Sequence, residues 1–103
     1  MKQYKLQYLP LAEQGLSEII DYIQNNLQNP IAAENILSKI ESAILERLES
    51  PESFAVWKST KNREHPYRRI NVGNYSVWYV VIDDVMEVRR ILYSRRNEDA
   101  LLN

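Results

Sequence analysis

Two arginine pairs, Arg68-Arg69 and Arg95-Arg96, carry enough fixed positive charge to hold a phosphate, and Tyr93 or His65 could move a proton beside them. Metal-free cleavage of RNA asks for such a set. It needs a base for the 2′-hydroxyl, an acid for the leaving oxygen, cations for the phosphate and a surface that holds the nucleobase. A histidine suits acid–base work near neutrality. His65, however, sits in Glu64-His65-Pro66, which reads as a surface loop, and a loop histidine is ordinarily just solvated. Arg68 has two readings, phosphate or partner binding on one side and a cross-strand ion pair on the other. The ion-pair reading suits Arg90 better, with Glu87, Asp83 or a chain terminus as its partner. Arg95-Arg96 follows directly on a strand, where an exposed pair is more readily functional.

The charges around these residues are segregated. Residues 57–96 carry nine basic and four acidic side chains, whereas residues 1–50 carry four basic and seven acidic, on a net charge of −1. A near-neutral chain with a basic half can still attract phosphates or an acidic partner. The chain has 103 residues, 45% apolar and 26% charged. That balance predicts one folded domain over 1–103 with a modest core, and argues against disorder. Cysteine is absent, which excludes a disulfide framework, a thiolate zinc site and a thiol nucleophile. No cofactor and no metal are expected. No run approaches the roughly 20 apolar residues of a membrane span. Met1-Lys2-Gln3-Tyr4 leads straight into a strand-like pattern, so no signal peptide is expected and the cytoplasm is the expected compartment.

Elements that could position these groups follow from periodicity. Tyr4 to Leu9 alternates apolar and polar, as a half-buried strand does. Pro10 suits the first turn of a helix, and Ala12, Leu16, Ile19, Ile20, Ile23 and Leu27 recur at helical spacing. A second helix starts near Pro30, with Ala33, Ile36, Leu37, Ile40, Ile44 and Leu48 as its stripe, and stops at Ser50-Pro51. Each helix has one apolar stripe, so the pair needs a sheet to cover. Residues 50–66 lack a clear period; Phe54 and Trp57 would anchor that loop. Arg68–Val72, Tyr75–Ile82 and Val85–Tyr93 then read as strands, joined by turns at Gly73-Asn74 and Asp83-Asp84. Trp78 reads as a packing residue rather than a stacking platform, and Tyr75 and Tyr79 as core residues with their hydroxyls near its edge. Asn97 could cap a short terminal helix. The expected fold is α+β, in the order β-α-α-β-β-β, with a helical hairpin on a mostly antiparallel four-stranded sheet.

Three stretches in this order resemble the RelE/ParE toxin superfamily of type II toxin–antitoxin systems. Tyr8-Leu9-Pro10-Leu11-Ala12-Glu13-Gln14-Gly15-Leu16-Ser17-Glu18-Ile19 is similar to the family's opening strand and its Ala-x-x-x-Leu-x-x-Ile helix. Tyr67-Arg68-Arg69-Ile70-Asn71-Val72-Gly73-Asn74-Tyr75 matches its Arg-x-Ile/Leu-x-Val-Gly-x-Tyr hairpin. Arg90-Ile91-Leu92-Tyr93-Ser94-Arg95-Arg96-Asn97 is similar to its terminal strand and basic exit. Together these span nearly the whole chain.

The resemblance implies a growth-inhibiting toxin held in a hetero-oligomer with a cognate antitoxin, whose extended or helical tail folds as it binds. It implies one of two targets, messenger RNA on the ribosome for RelE-like members or DNA gyrase for ParE-like members. RelE-like enzymes place lysines or arginines on the second strand, an arginine after the tyrosine of the third, and a basic–aromatic or histidine cluster at the end. Here Asn71 and Ser76 occupy the first two places, and the chain ends Ala100-Leu101-Leu102-Asn103. These departures count against ribosome-dependent cleavage. The long helical hairpin, the Val-Gly-x-Tyr turn and the Arg-Ile-Leu-Tyr-Ser-Arg-Arg ending look closer to the ParE-like branch, and the departures leave room for a member that binds its antitoxin without being toxic.

Overall fold

The computed structural model describes residues 3–57 and 64–94. The expected cap at Asn97 and the arginine pair Arg95-Arg96 lie outside the described residues. Within them the elements run β1 (Lys5–Tyr8), α1 (Pro10–Asp21), a π-helical turn (Tyr22–Asn26), α2 (Pro30–Leu48), β2 (Arg68–Val72), β3 (Tyr75–Ile82) and β4 (Val85–Tyr93). The expected α+β fold is therefore observed, two helices on a four-stranded, mostly antiparallel sheet.

Pro10 opens α1, since its fixed φ fits the helix and its missing N–H is not needed there. Asn29 caps α2 by accepting from the Ala32 N–H at 3.1 Å, with Pro30 next to it. Between the helices the Leu27 N–H reaches back five residues to the Tyr22 carbonyl at 3.1 Å. This wide turn shifts the helical phase. Leu27, expected to close the apolar stripe, is turned outward and is 56% exposed. Gln28 then takes a left-handed φ of 51° to let α2 begin.

The strand order is β1-β4-β3-β2. β1 runs parallel to β4, and β3 is antiparallel to both β4 and β2. Gly73 supplies the positive φ, 58°, of the β2–β3 turn, and Asp83 supplies 56° in the β3–β4 turn. One irregularity matters for the site. Trp78 pairs with Arg90 and Tyr79 with Val88, so Arg89 is an extra residue in β4. Such a bulge re-aims the side chains on either side of it.

Both helices cover one face of the sheet. Ala12, Ile40 and Ile44 pack there on Ile70, Val72, Val77, Tyr79, Met86, Val88 and Ile91. α1 lies close over β4 because Gly15 has no side chain; a Cβ there would sit 2.5 Å from the Ile91 carbonyl oxygen. The opposite face carries a second, smaller cluster of Tyr67, Trp78, Val80 and Leu92, with Trp57 and Ile82 packed against it. The loop after α2 thus crosses to the far side of the sheet.

Candidate functional site

The face away from the helices gathers three of the five described arginines, Arg69, Arg89 and Arg90. Arg69 pairs with Trp78 in the β2–β3 register, and its guanidinium lies 5.1 Å from the Trp57 ring centre and 5.4 Å from that of Trp78. The indoles meet edge to face at 5.0 Å, and Tyr67 meets Trp78 in the same manner at 6.2 Å. A cation over such rings is held by their electron-rich faces. Because of the bulge, Arg89 and Arg90 both belong to this face. Arg89 bonds Glu87 at 2.7 Å and lies 5.8 Å from the Tyr67 ring. Burial lowers the Arg89 pKa, but hydrogen bonds and charge from Glu87 and Tyr67 more than offset it, and the net shift is upward. Glu87, one of the partners considered for Arg90, makes this ion pair with Arg89, and Arg90 has partners of its own.

Ser76, the residue standing in for a cation on β3, is also on this face and is 0% exposed. Its hydroxyl accepts from the Trp78 indole N–H at 2.9 Å and donates to the Leu92 carbonyl at 3.5 Å. Both of its hydrogen-bonding roles are met inside the protein. Trp78 is fully buried beneath it. It packs, as its sequence position suggested, and offers no open ring for a nucleobase. The Trp57 indole N–H is buried with no acceptor among the described residues.

The remaining sequence candidates lie elsewhere. Tyr93 pairs with Tyr75 on the helix side, at the end of β4, with ring centres 5.8 Å apart. Burial and the nearby Tyr93 and Tyr22 hydroxyls raise the Tyr75 pKa. Arg69 and Tyr93 are thus on opposite faces of the sheet. His65 is half-buried just ahead of β2. Arg68 faces the helix side, next to Tyr79, and its Nε donates to the Phe54 carbonyl at 3.0 Å.

Arg47, in the last turn of α2, gave no sequence signal beyond being an arginine in an acidic stretch. Its guanidinium lies 3.5 Å from the Phe54 ring centre. Its Nη1 donates to the Tyr79 hydroxyl at 2.9 Å and to the Arg69 carbonyl at 3.3 Å. The Tyr79 hydroxyl in turn donates to the Pro51 carbonyl at 2.7 Å. Burial raises the Tyr79 pKa against the pull of Arg47 and Arg68. This network fastens the start of the 51–57 loop to the rim of the helix-side core. Val56 bridges Arg68, and the Trp57 N–H donates to the Tyr67 carbonyl at 2.6 Å, carrying the loop over the edge of β2.

Residues 6–98 match the family described as ParE toxin of type II toxin–antitoxin system, parDE. The chain belongs to the ParE toxin family. No curated protein matches it in sequence. Among solved structures, the chromosomal ParDE toxin–antitoxin system from P. aeruginosa is similar at a TM-score of 0.72 and 16% identity, covering 88% of this chain and 96% of that one. The intact E. coli RelBE toxin–antitoxin complex is similar at 0.56 and 20% identity, over 90% and 99% of the two chains. YafQ from E. coli strain BL21(DE3) follows at 0.53 and 13%, over 98% and 100%. At these identities the likenesses establish the shared fold. The ParE family assignment rests on the sequence match, and it makes this chain a toxin of the type II toxin–antitoxin class. Among the described residues of this ParE family member, no helix is long and apolar enough to cross a membrane.

Proposed function

We propose that this chain is a single-domain ParE-like toxin that arrests growth in the cytoplasm by binding DNA gyrase, and that a cognate antitoxin neutralises it. The observation that carries this reading is the state of Ser76. A nuclease of the related RelE type would present a cation at this place, and here a small hydroxyl is fully buried and bonded to the Trp78 indole and the Leu92 carbonyl. The separation of Arg69 and Tyr93 onto opposite faces points the same way, because proton transfer and phosphate binding must converge on one bond. Inhibition by binding needs no such convergence. The antitoxin partner is supported by the neighbours, several of which are described as toxin–antitoxin complexes.

The grouping of Arg69, Arg89 and Arg90 on one face favours a second reading, in which the chain cleaves messenger RNA on the ribosome. Induction in bacteria separates the readings. Filamentation and a DNA-damage response, with gyrase inhibited in vitro, support the first. Immediate translation arrest with cut transcripts supports the second. Normal growth at high expression would mean that the chain binds an antitoxin and is not toxic. Arg95→Ala combined with Arg96→Ala should lower toxicity while antitoxin binding stays measurable; full toxicity would take the basic exit out of the mechanism.

A further inference from the structure

We propose that Arg47 and Arg68 form a carboxylate-binding site for an acidic, partly apolar protein segment. The two guanidiniums converge on Phe54 from different elements, Arg47 against its ring and Arg68 on its carbonyl. Neither has a carboxylate oxygen within ion-pair distance among the described residues. Glu52, the nearby acid, accepts instead from the Tyr4 hydroxyl at 2.7 Å.

A guanidinium carries five N–H donors in a planar fork. Among the described residues, Arg47 donates through Nη1 and Arg68 through Nε. Both arginines are half-buried, and their other N–H groups are not among the buried side-chain atoms that lack a partner. Arg47 is nonetheless held rigidly, between the Phe54 ring, the Tyr79 hydroxyl and a β2 carbonyl. A fixed fork loses less freedom on binding than a mobile surface arginine, and a carboxylate can take two parallel bonds from it.

The surroundings decide which anion fits. Phe54 and Val56 are 46% and 42% exposed beside the pair. Glu46, Glu49 and Glu52 are exposed on the same end of α2 and the turn after it. A nucleic acid brings a continuous line of phosphates, which two arginines do not neutralise, and the three glutamates admit only a segment that sets its few carboxylates directly on the guanidiniums. A protein segment can place one or two carboxylates on the arginines and apolar side chains on Phe54 and Val56. Within the proposed toxin reading that segment belongs to the antitoxin, and the inference rests on that reading for the partner's identity alone.

The test needs no knowledge of the antitoxin. The ¹⁵N-labelled chain is titrated with a blocked hexapeptide of alternating leucine and glutamate, with its leucine–glutamine counterpart, and with inorganic phosphate. The glutamate peptide should move the Nε–H resonances of Arg47 and Arg68 together with the Phe54 and Val56 amides. Arg68→Gln, checked by its thermal melt, should weaken that binding by roughly tenfold, the loss of charge-assisted bonds. Equal response to the glutamine peptide, an equal shift with phosphate, or no shift at these resonances would each overturn the site. A loss of the site with gyrase inhibition intact would leave the toxin reading standing, and a failed toxin assay would leave the titration untouched.

Discussion

On the helix side of the sheet, Val77, Tyr79, Met86, Val88 and Ile91 are met by aliphatic side chains from two helices. On the far side, Trp78, Val80 and Leu92 are met by Tyr67 and by Trp57 from a loop. The first face is deep, and its polar groups sit at the rim, where Tyr79 and Arg47 tie the end of α2 to the loop. The second is thin and aromatic, with Arg69 and Arg89 stacked on its rings and Ser76 bonded beneath. The first face holds more of the buried apolar residues than the second. The second spends its cations on packing as well as on charge, which suits recognition better than bond cleavage.

The difference can be broken most severely at Ser76. Ser76→Arg, which would restore the cation expected of a nuclease, buries an unpaired charge and leaves the Trp78 indole without its acceptor. The variant should fail to fold, read by circular dichroism; a folded variant that cuts RNA would mean the far face is an open site. Trp78→Ala should cost about 3–5 kcal/mol in denaturant unfolding, since it empties the far-side cluster. Gly15→Ala tests the other face. Its new methyl meets the Ile91 carbonyl, a backbone atom that cannot swing away, and about 1–3 kcal/mol should be lost. Tyr79→Phe should cost about 1–2 kcal/mol by leaving the Pro51 carbonyl without its donor.

The same tyrosine gives a pH signature. Tyr8, Tyr75 and Tyr79 all have hydroxyls raised above the ordinary phenol value of 10.0, burial being the largest cause in each. The folded state therefore holds these protons more tightly than the unfolded chain. Their contribution is complete below pH 10 and is lost as pH rises through the raised values. Melting temperature should fall above pH 10, and less steeply in Tyr79→Phe than in the native chain. An unchanged slope would place the alkaline loss elsewhere.

β2, β3 and β4 were legible in the sequence because β-branched and aromatic runs are cut by Gly73-Asn74 and Asp83-Asp84, whose chemistry forces turns. Both helix starts were legible from Pro10 and Pro30. What escaped had no periodic signature. The π-helical turn is a hydrogen-bond choice at Tyr22–Asn26, and it reverses the side of Leu27. The bulge at Arg89 adds one residue to β4 and places neighbouring arginines on one face, against strict alternation. Gly15 carried no signal of its own in the sequence and is a close contact with a strand. Arg47 could be found only after the fold brought α2, the loop and β3 to one point. The arginines were easy to nominate and hard to place, since strand register and the bulge decide which face each one joins.

A supercoiling assay with purified DNA gyrase and this chain, repeated with an excess of antitoxin, tests the central claim most directly. The sealed Ser76 face and the divided proton and phosphate groups predict loss of supercoiling that the antitoxin restores. Undiminished gyrase activity, alongside cleaved messenger RNA on translating ribosomes, would contradict it.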